Sequence, residues 1–206
     1  ALEPVLARAD IVTCHVPLTT DGPHATHHLL DADALGRLQP GAWLVNTSRG
    51  PVVDNAALRA AYRDGPVEAA VLDVWENEPT PDPALVAAAD VATPHIAGYA
   101  FDGKVRGTRM LYEALCDHLD VTPTWDVQTV LRPDAPGALH CQAPDPRLSR
   151  TDWFDHLARQ AYDLRADDER MRGYLDCVPE RRGDYFRQLR ATYPTRREMQ
   201  RQHVSA

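Results

Sequence analysis

Short apolar segments that alternate with helical patterns run through the first 120 residues, and this alternation restricts the possible folds most strongly. Each apolar segment is partly β-branched and ends in a turn rich in Pro, Asn, Ser or Gly. The pattern predicts strands at Asp10–Cys14, Ala42–Asn46, Ala69–Trp75 and Asp90–Thr93. It predicts helices at Ala32–Leu38, Asn55–Arg63, Pro83–Ala89 and Gly103–Leu119. Continuously apolar strands indicate a parallel sheet covered on both faces by crossover helices, so the predicted class is α/β, doubly wound.

Charged or titratable side chains follow three successive predicted strands. Arg49 follows the second strand, Glu76 and Glu78 follow the third, and His95 follows the fourth. Ligands of doubly wound sheets bind outside the carboxyl ends of the strands, where these residues should meet. A guanidinium can hold a carboxylate bidentately, and an imidazole oriented by a carboxylate can exchange a hydroxyl proton. These groups are suited to oxidising a 2-hydroxy acid if a hydride acceptor lies opposite.

Three motifs carry a family resemblance over residues 8–120. The runs N-T-S-R-G-P-V-V-D-N, L-D-V-W-E-N-E-P and T-P-H-I-A-G-Y are similar to those of the NAD-dependent D-2-hydroxyacid dehydrogenases. The resemblance implies a Rossmann-like NAD-binding domain in which Arg49 binds the substrate carboxylate and carbonyl. It also implies that His95 is the acid/base and that Glu78 is its partner. Glu76 lies two residues earlier in the same loop, and only the motif alignment favours Glu78.

The same resemblance assigns residues to the cofactor and the substrate. It places the NAD contacts at Val16, Thr47, Ser48, Arg49, Asp73 and Gly98, with Gly98 on the nicotinamide side. It places Tyr99 against the substrate, which is expected to be a small phosphorylated 2-hydroxy acid. Lys104 and Arg106 are candidates for neutralising a substrate phosphate.

One departure from the family pattern concerns the cofactor. The G-x-G-x-x-G fingerprint and the acidic ribose-binding residue are absent from these residues, so NAD and NADP are not distinguished. The separate substrate domain of the family is absent too. Motif order would place both upstream of Ala1, and the chain is therefore expected to be the C-terminal part of a longer enzyme.

Charge and proline content indicate a boundary inside the chain. Residues 1–146 carry a net charge of −11 and residues 147–206 carry +3. The predicted organisation is a partial NAD-binding and catalytic domain at 1–132, a proline-rich linker at 133–146 and a small C-terminal domain at 147–206. That domain is expected to be α or α+β, and the resemblance implies that it is a dimerisation domain of a homodimer.

Helical spacing predicts two helices in the C-terminal domain. Ser149 should cap the first helix, and the apolar stripes comprise Trp153, Leu157, Ala161 and Leu164, then Phe186, Leu189 and Tyr193.

Composition argues against several classes of function. The net charge of −8 and the pI of about 5.5 disfavour nucleic acid and anionic membranes as partners. No apolar run reaches the roughly 20 residues that cross a bilayer. Four scattered cysteines indicate reduced thiols and a cytoplasmic protein. His24, His27 and His28 lack further ligands at a suitable spacing, so no metal is predicted.

Three interpretations remain open from the sequence. The chain could belong to a dehydrogenase, and within that class phosphoglycerate is a rival substrate. It could belong to a nucleotide-sensing protein that has lost catalysis, or be a dimerisation module. The presence of Arg49, Glu78 and His95 together favours the dehydrogenase.

Overall fold

A computed structural model of the chain describes residues 2–132, 140–143, 145–198 and 203–205. The strands within these residues are β1 Ile11–Cys14, β2 Ala42–Asn46, β3 Val67–Leu72, β4 Val91–Ala92, β5 His140–Gln142 and β6 His203–Ser205. The helices are α1 Glu3–Leu6, α2 Ala32–Gly36, α3 Asn55–Asp64, α4 Pro83–Ala88, α5 Phe101–His118, α6 Arg150–Ala161, α7 Leu164–Arg172 and α8 Pro179–Ala191. Short 3₁₀ turns lie at Gly50–Val52 and Val127–Thr129.

The first four strands form one parallel sheet in the order β1-β2-β3-β4. Cys14 pairs with Asn46, and Asn46 pairs with Leu72, so the carboxyl ends of neighbouring strands lie level. Helices connect successive strands, as parallel pairing requires. The predicted α/β class with a parallel sheet is confirmed, and the strand ends that carry the predicted site share one edge.

Local capping explains why the helices begin where they do. Asp31, Asp54 and Asp82 each accept a hydrogen bond from a backbone N–H of the first turn of α2, α3 and α4. Ser149 caps α6 in the same way, as predicted. The prediction that one helix carries the apolar stripe as far as Leu164 is wrong. α6 ends at Ala161, and Leu164 is the first residue of α7.

The first strand begins at Ile11 rather than Asp10, and two other strand predictions differ more from the structure. The third strand is Val67–Leu72 rather than Ala69–Trp75, and the fourth is only Val91–Ala92. Coverage of the sheet is also uneven, because Ile11 is 58% exposed and its register partner Trp43 is 47% exposed. Within the described residues, this corner of the sheet is therefore left uncovered, and β1 is the edge strand there.

The chain forms two compact units that cut it differently from the predicted domains. The first comprises Ala1–Ile96 and Arg165–Thr192, and the second comprises Ala97–Leu164 and Tyr193–Ala206. Residues 165–192 belong to the first unit because Met171, Tyr174 and Phe186 are buried in its apolar core. The predicted linker at 133–146 lies mostly outside the described residues.

The second unit contains a buried ion pair at the start of α5. Asp102 and Arg197 are almost fully buried and form a two-pronged ion pair with distances of 2.8 and 2.9 Å. Burial alone would raise the pKa of the Asp102 carboxyl, but hydrogen bonds from Arg197 and from the Glu198 N–H lower it below its ordinary value. β5 and β6 pair in parallel in this unit. Among the described residues, no helix is both long and apolar enough to cross a membrane.

The burial of α8 in the first unit can be tested with a matched pair of phenylalanines. Phe186 is 1% exposed and Phe154 is 65% exposed. Phe186→Ala should lower the free energy of unfolding by about 3–5 kcal/mol, since it opens a cavity in a packed core. Phe154→Ala should change it by less than about 0.5 kcal/mol. Urea denaturation followed by circular dichroism measures both, and equal effects would contradict the described packing.

Candidate active site

The loops after β2, β3 and β4 form the candidate site. Their strands are neighbours in a parallel sheet, so all three loops leave from the same edge. The segments are Asn46–Gly50, Asp73–Glu78 and Thr93–Ile96. Backbone hydrogen bonds join them, from the Asp73 N–H to the Asn46 carbonyl at 3.0 Å and from the His95 N–H to the Asp73 carbonyl at 2.7 Å. The sheet register therefore continues into the site.

The loop that carries Arg49 is shaped by Asn46. The buried Asn46 side chain accepts hydrogen bonds from the Ser48 N–H and hydroxyl and donates to the Arg49 carbonyl at 3.1 Å. The buried Asn46 side chain therefore fixes the conformation of this turn. The Arg49 side chain is exposed, and its Nη1 donates to the Ser48 carbonyl at 2.6 Å. A polar residue at the end of a buried apolar strand was the only sequence signal for this role of Asn46.

Gly50 brings the Arg49 loop against the loop after β3. A Cβ atom at position 50 would lie 1.9 Å from the carbonyl oxygen of Trp75. No side chain fits at that distance, so Gly50 allows backbone to touch backbone. Arg49 is consequently held beside the segment that leads to Glu78.

Glu78 and His95 form a direct pair. His95 Nδ1 lies 2.8 Å from Glu78 Oε2, and the other carboxylate oxygen accepts a hydrogen bond from the Trp75 N–H at 2.9 Å. An ionised carboxylate can only accept, so Nδ1 donates and Nε2 is left as the nitrogen that can exchange a proton. Both side chains are about three-quarters buried, with 27% and 21% exposed. This arrangement provides an oriented acid/base.

Asp73 holds the backbone of His95. Its buried carboxylate accepts hydrogen bonds from the Thr93 hydroxyl at 2.6 Å and from the Ile96 N–H at 2.8 Å. His95 has a φ of +58°, a left-handed conformation that costs a non-glycine residue free energy. The bonds on both sides of His95 stabilise that conformation. The structure gives Asp73 this role in addition to its predicted place near the cofactor.

Glu76 has different partners from Glu78. One oxygen lies 2.7 Å from His28 Nε2, and the other accepts from the Asn55 N–H at 2.9 Å. The Asn55 side chain accepts in return from the Glu76 N–H. Glu76 and Glu78 therefore bond to different histidines, although only one residue separates them. Glu76 bonds to His28, and Glu78 bonds to His95.

Among the described residues, no group of three or more His, Cys, Asp or Glu side chains is arranged to hold an ion. His27 and His28 stack with ring centroids 4.1 Å apart.

The other predicted residues are distributed over both units. In the first unit, Val16 and Thr47 are half-buried, while the Ser48 hydroxyl is bonded to Asn46. In the second unit, Gly98 is exposed and the Tyr99 ring packs edge-on against Tyr193.

The two phosphate candidates also lie in the second unit. Lys104 Nζ lies 3.9 Å from the centre of the Tyr99 ring, and Arg106 forms an ion pair with Glu198. The guanidinium of Arg106 is therefore already neutralised. A phosphate role for either residue stays a hypothesis.

Comparisons with known proteins agree with the motifs. Residues 1–97 match the NAD-binding domain of the D-isomer specific 2-hydroxyacid dehydrogenases, and residues 146–206 match a domain of unknown function, DUF3410. Erythronate-4-phosphate dehydrogenase of Salinibacter ruber is 60% identical over 98% of this chain and 52% of its own length. The Pseudomonas putida enzyme of that name is 44% identical over 97% of this chain and 52% of its own length. The chain thus spans about half the length of these curated relatives.

A solved structure supports the fold. An NAD-binding protein from Polaromonas, described as a D-isomer specific 2-hydroxyacid dehydrogenase, superposes with a TM-score of 0.50 at 28% identity. The match covers 60% of this chain and 38% of that one.

The orientation of His95 can be tested by exchanging its partner. In Glu78→Gln the amide oxygen should stay on the Trp75 N–H, which leaves the NH₂ group facing His95 Nδ1. Nδ1 must then accept, so the neutral ring should carry its proton on Nε2 instead of Nδ1. Ring ¹⁵N chemical shifts report the tautomer. Glu76→Gln is the control and should alter His28 alone. A His95 tautomer that follows Glu76 rather than Glu78 would contradict the geometry.

Proposed function

We propose that the chain belongs to the D-isomer specific 2-hydroxyacid dehydrogenases and forms part of an erythronate-4-phosphate dehydrogenase. The proposed reaction is the NAD-dependent oxidation of 4-phospho-D-erythronate at C2 to the 2-oxo acid, in pyridoxal 5′-phosphate (vitamin B6) biosynthesis. The observation that carries the proposal is the 2.8 Å bond between His95 Nδ1 and Glu78 Oε2, at the sheet edge that also bears Arg49. The Tyr99 position and the run Gly103–Thr108 favour this member of the family.

His95 is the proposed acid/base. Its Nε2 takes the proton of the substrate hydroxyl, and the electron pair of that O–H bond becomes the second bond of the C2 carbonyl. The hydrogen on C2 leaves with its electron pair as hydride. Bound NAD supplies the acceptor for this hydride. Glu78 keeps the ring oriented and stabilises the imidazolium that forms.

Arg49 is the proposed carboxylate anchor. Its guanidinium is exposed, and the loop beneath it is closed by Asn46 and pressed against Trp75 through Gly50. A planar fork on a fixed loop can bind a carboxylate through two parallel hydrogen bonds and polarise the adjacent carbonyl. A lysine would offer only a point charge.

The residues of this chain fit part of an NAD site. Val16 and Thr47 lie half-buried at the strand ends, where doubly wound sheets bind nucleotides. The N–H and the hydroxyl of Ser48 both donate to Asn46, so Ser48 would contribute its backbone carbonyl, which keeps a second lone pair beside the bond from Arg49. The glycine loop that binds the pyrophosphate is not among the 206 residues. Ile11 on β1 and its register partner Trp43 on β2 are exposed, and they form a surface on which further residues of the NAD-binding domain would pack.

We expect the 206-residue chain alone to bind NAD weakly or not at all. The pyrophosphate contacts at a glycine loop and helix N-terminus are missing from it. Calorimetric titration with NAD measures this binding. The comparison protein is a hybrid, in which the chain is joined to the region of the Salinibacter ruber relative that the chain does not cover. The hybrid should bind NAD. Full-strength binding by the chain alone would refute the expectation.

The hybrid also tests the site residues. His95→Gln should lower kcat about 10²- to 10⁴-fold, since it removes the acid/base. Arg49→Lys should lower kcat/KM by about 10- to 100-fold, as expected for a lost charged hydrogen bond. Arg63→Lys, at the exposed end of α3, is the control and should leave both constants unchanged.

A panel of 2-hydroxy acids decides the substrate. 4-Phospho-D-erythronate should be turned over with the highest kcat/KM, and 3-phosphoglycerate is the competing family substrate. A hybrid that binds NAD and oxidises none of the panel would favour the nucleotide-sensing alternative.

We also propose that the whole protein is a cytoplasmic homodimer. Leu148 is exposed in the second unit, within the segment predicted to dimerise, and it supports that surface. Cys14, Cys116 and Cys177 are free thiols, which suits a reducing compartment.

A further inference from the structure

Residues 165–192, which include part of the domain of unknown function, make specific contacts with the elements that carry His95 and Glu78. β4 lies at the end of the sheet, so one of its edges has no neighbouring strand among the described residues. On that edge the Ala92 N–H donates to Asp168 Oδ1 of α7 at 2.7 Å. Ala92 lies three residues before His95. A carboxylate from α7 thus takes the place of a further strand beside the histidine.

Arg172 ties the same helix to the end of α4. Its guanidinium donates to the carbonyls of Val86, Ala87 and Ala89, the last at 2.6 Å. It also bonds to Asp168, with Nη2 2.9 Å from Oδ1. The last carbonyls of a helix have no partner within it, and Arg172 satisfies them for α4. One Asp–Arg pair therefore fixes both the end of α4 and the last residue of β4.

α8 packs on the turn that directly follows Glu78, the other member of the acid/base pair. A Cβ atom on Gly183 would lie 3.3 Å from Thr80 and 3.5 Å from Pro79, so the helix backbone packs closely on the turn that follows Glu78. The Tyr174 hydroxyl, from the segment between α7 and α8, donates to the Pro81 carbonyl at 2.8 Å. Tyr174 is fully buried, which makes this bond part of the core.

We propose that residues 165–192 form an α7–α8 brace that positions the Glu78–His95 pair. The brace holds the strand before His95 through Asp168 and Arg172, and it holds the turn after Glu78 through Gly183. Asp168, Arg172 and Gly183 are positioning residues, since they act through the backbone of the pair. The effect on turnover rests on the proposed function, whereas the effect on the geometry of His95 does not.

The brace gives these helices a role separate from dimerisation. Their apolar residues Met171, Tyr174 and Phe186 are used inside the first unit. The segment predicted to form the dimer surface therefore divides, with residues 165–192 packed on the sheet and α6 in the second unit.

A graded set of variants tests the brace. Asp168→Ala removes the acceptor of the Ala92 N–H, whereas Asp168→Asn keeps an oxygen at that position and should rescue much of the effect. In Arg172→Lys, the single ammonium group cannot reach the three carbonyls and the Asp168 carboxylate together, so most of these bonds should be lost. Arg159→Ala is the matched control, because Arg159 also pairs with an aspartate in the 146–206 match but lies in the second unit.

The first readout is the ¹⁵N spectrum of the His95 ring in the 206-residue chain. Asp168→Ala and Arg172→Lys should broaden or shift the Nδ1 signal toward that of Glu78→Gln, while Asp168→Asn and Arg159→Ala should not. Gly183→Val provides a second route if Asp168→Ala does not fold, since it presses on Pro79 and Thr80. A melting temperature that falls in these variants while the His95 signals stay unchanged would overturn the brace.

The second readout is turnover by the hybrid. Asp168→Ala should lower kcat by about 10- to 100-fold, the scale of a misplaced catalytic group, with KM for substrate changed less than about threefold. Light scattering should show the same oligomeric state for every variant. A variant that changes oligomeric state without moving His95 would indicate a dimer contact instead. If no hybrid turns over, the proposed function fails, and the ¹⁵N comparison still decides the brace.

Discussion

The buried carboxylate of Asp73 is the interaction on which the candidate site depends. A carboxylate inside a protein must be matched by donors, and Asp73 finds them in the Thr93 hydroxyl and the Ile96 N–H. Moving the loop after β4 would leave these groups unmatched, so the loop is fixed to the end of β3. His95 lies between the two donors and is thereby held at φ +58°. Its side chain can meet Glu78 only because its backbone is held in this way.

Features set by local sequence were predictable. β2 was predicted at its observed bounds, and the aspartate caps mark where α2, α3 and α4 begin, since strand periodicity and capping act within a few residues. The edge that carries Arg49, Glu78 and His95 also followed from strand order. The choice between Glu76 and Glu78 did not follow from strand order, because both are glutamates in one loop, and only the motif alignment favoured Glu78. It is made in the structure by the Trp75 N–H and by His28.

Features set by distant packing were not predictable. Asp168 meets Ala92 across 76 positions, and no spacing rule connects them. Leu164 continued a helical stripe in the sequence, yet the chain turns there and starts α7. The exposed pair Ile11 and Trp43 shows the same limit, because apolar strands indicate that a face can be covered without showing what covers it.

The arginine-rich composition gave no sequence signal for the role of Arg172 in the α7–α8 brace. The chemistry of the arginine side chain, however, explains how Arg172 holds it. Lys104 is the only lysine in the chain, so an arginine at position 172 carries no signal by itself. Its planar group with five N–H donors can satisfy several carbonyls and a carboxylate together, which an ammonium on a flexible stem cannot do. Arg197 uses the same geometry on buried Asp102, and Arg49 presents it to solvent. The role of each arginine is therefore decided by the acceptors around it, which makes Arg→Lys exchange a sensitive probe wherever those acceptors are several and fixed.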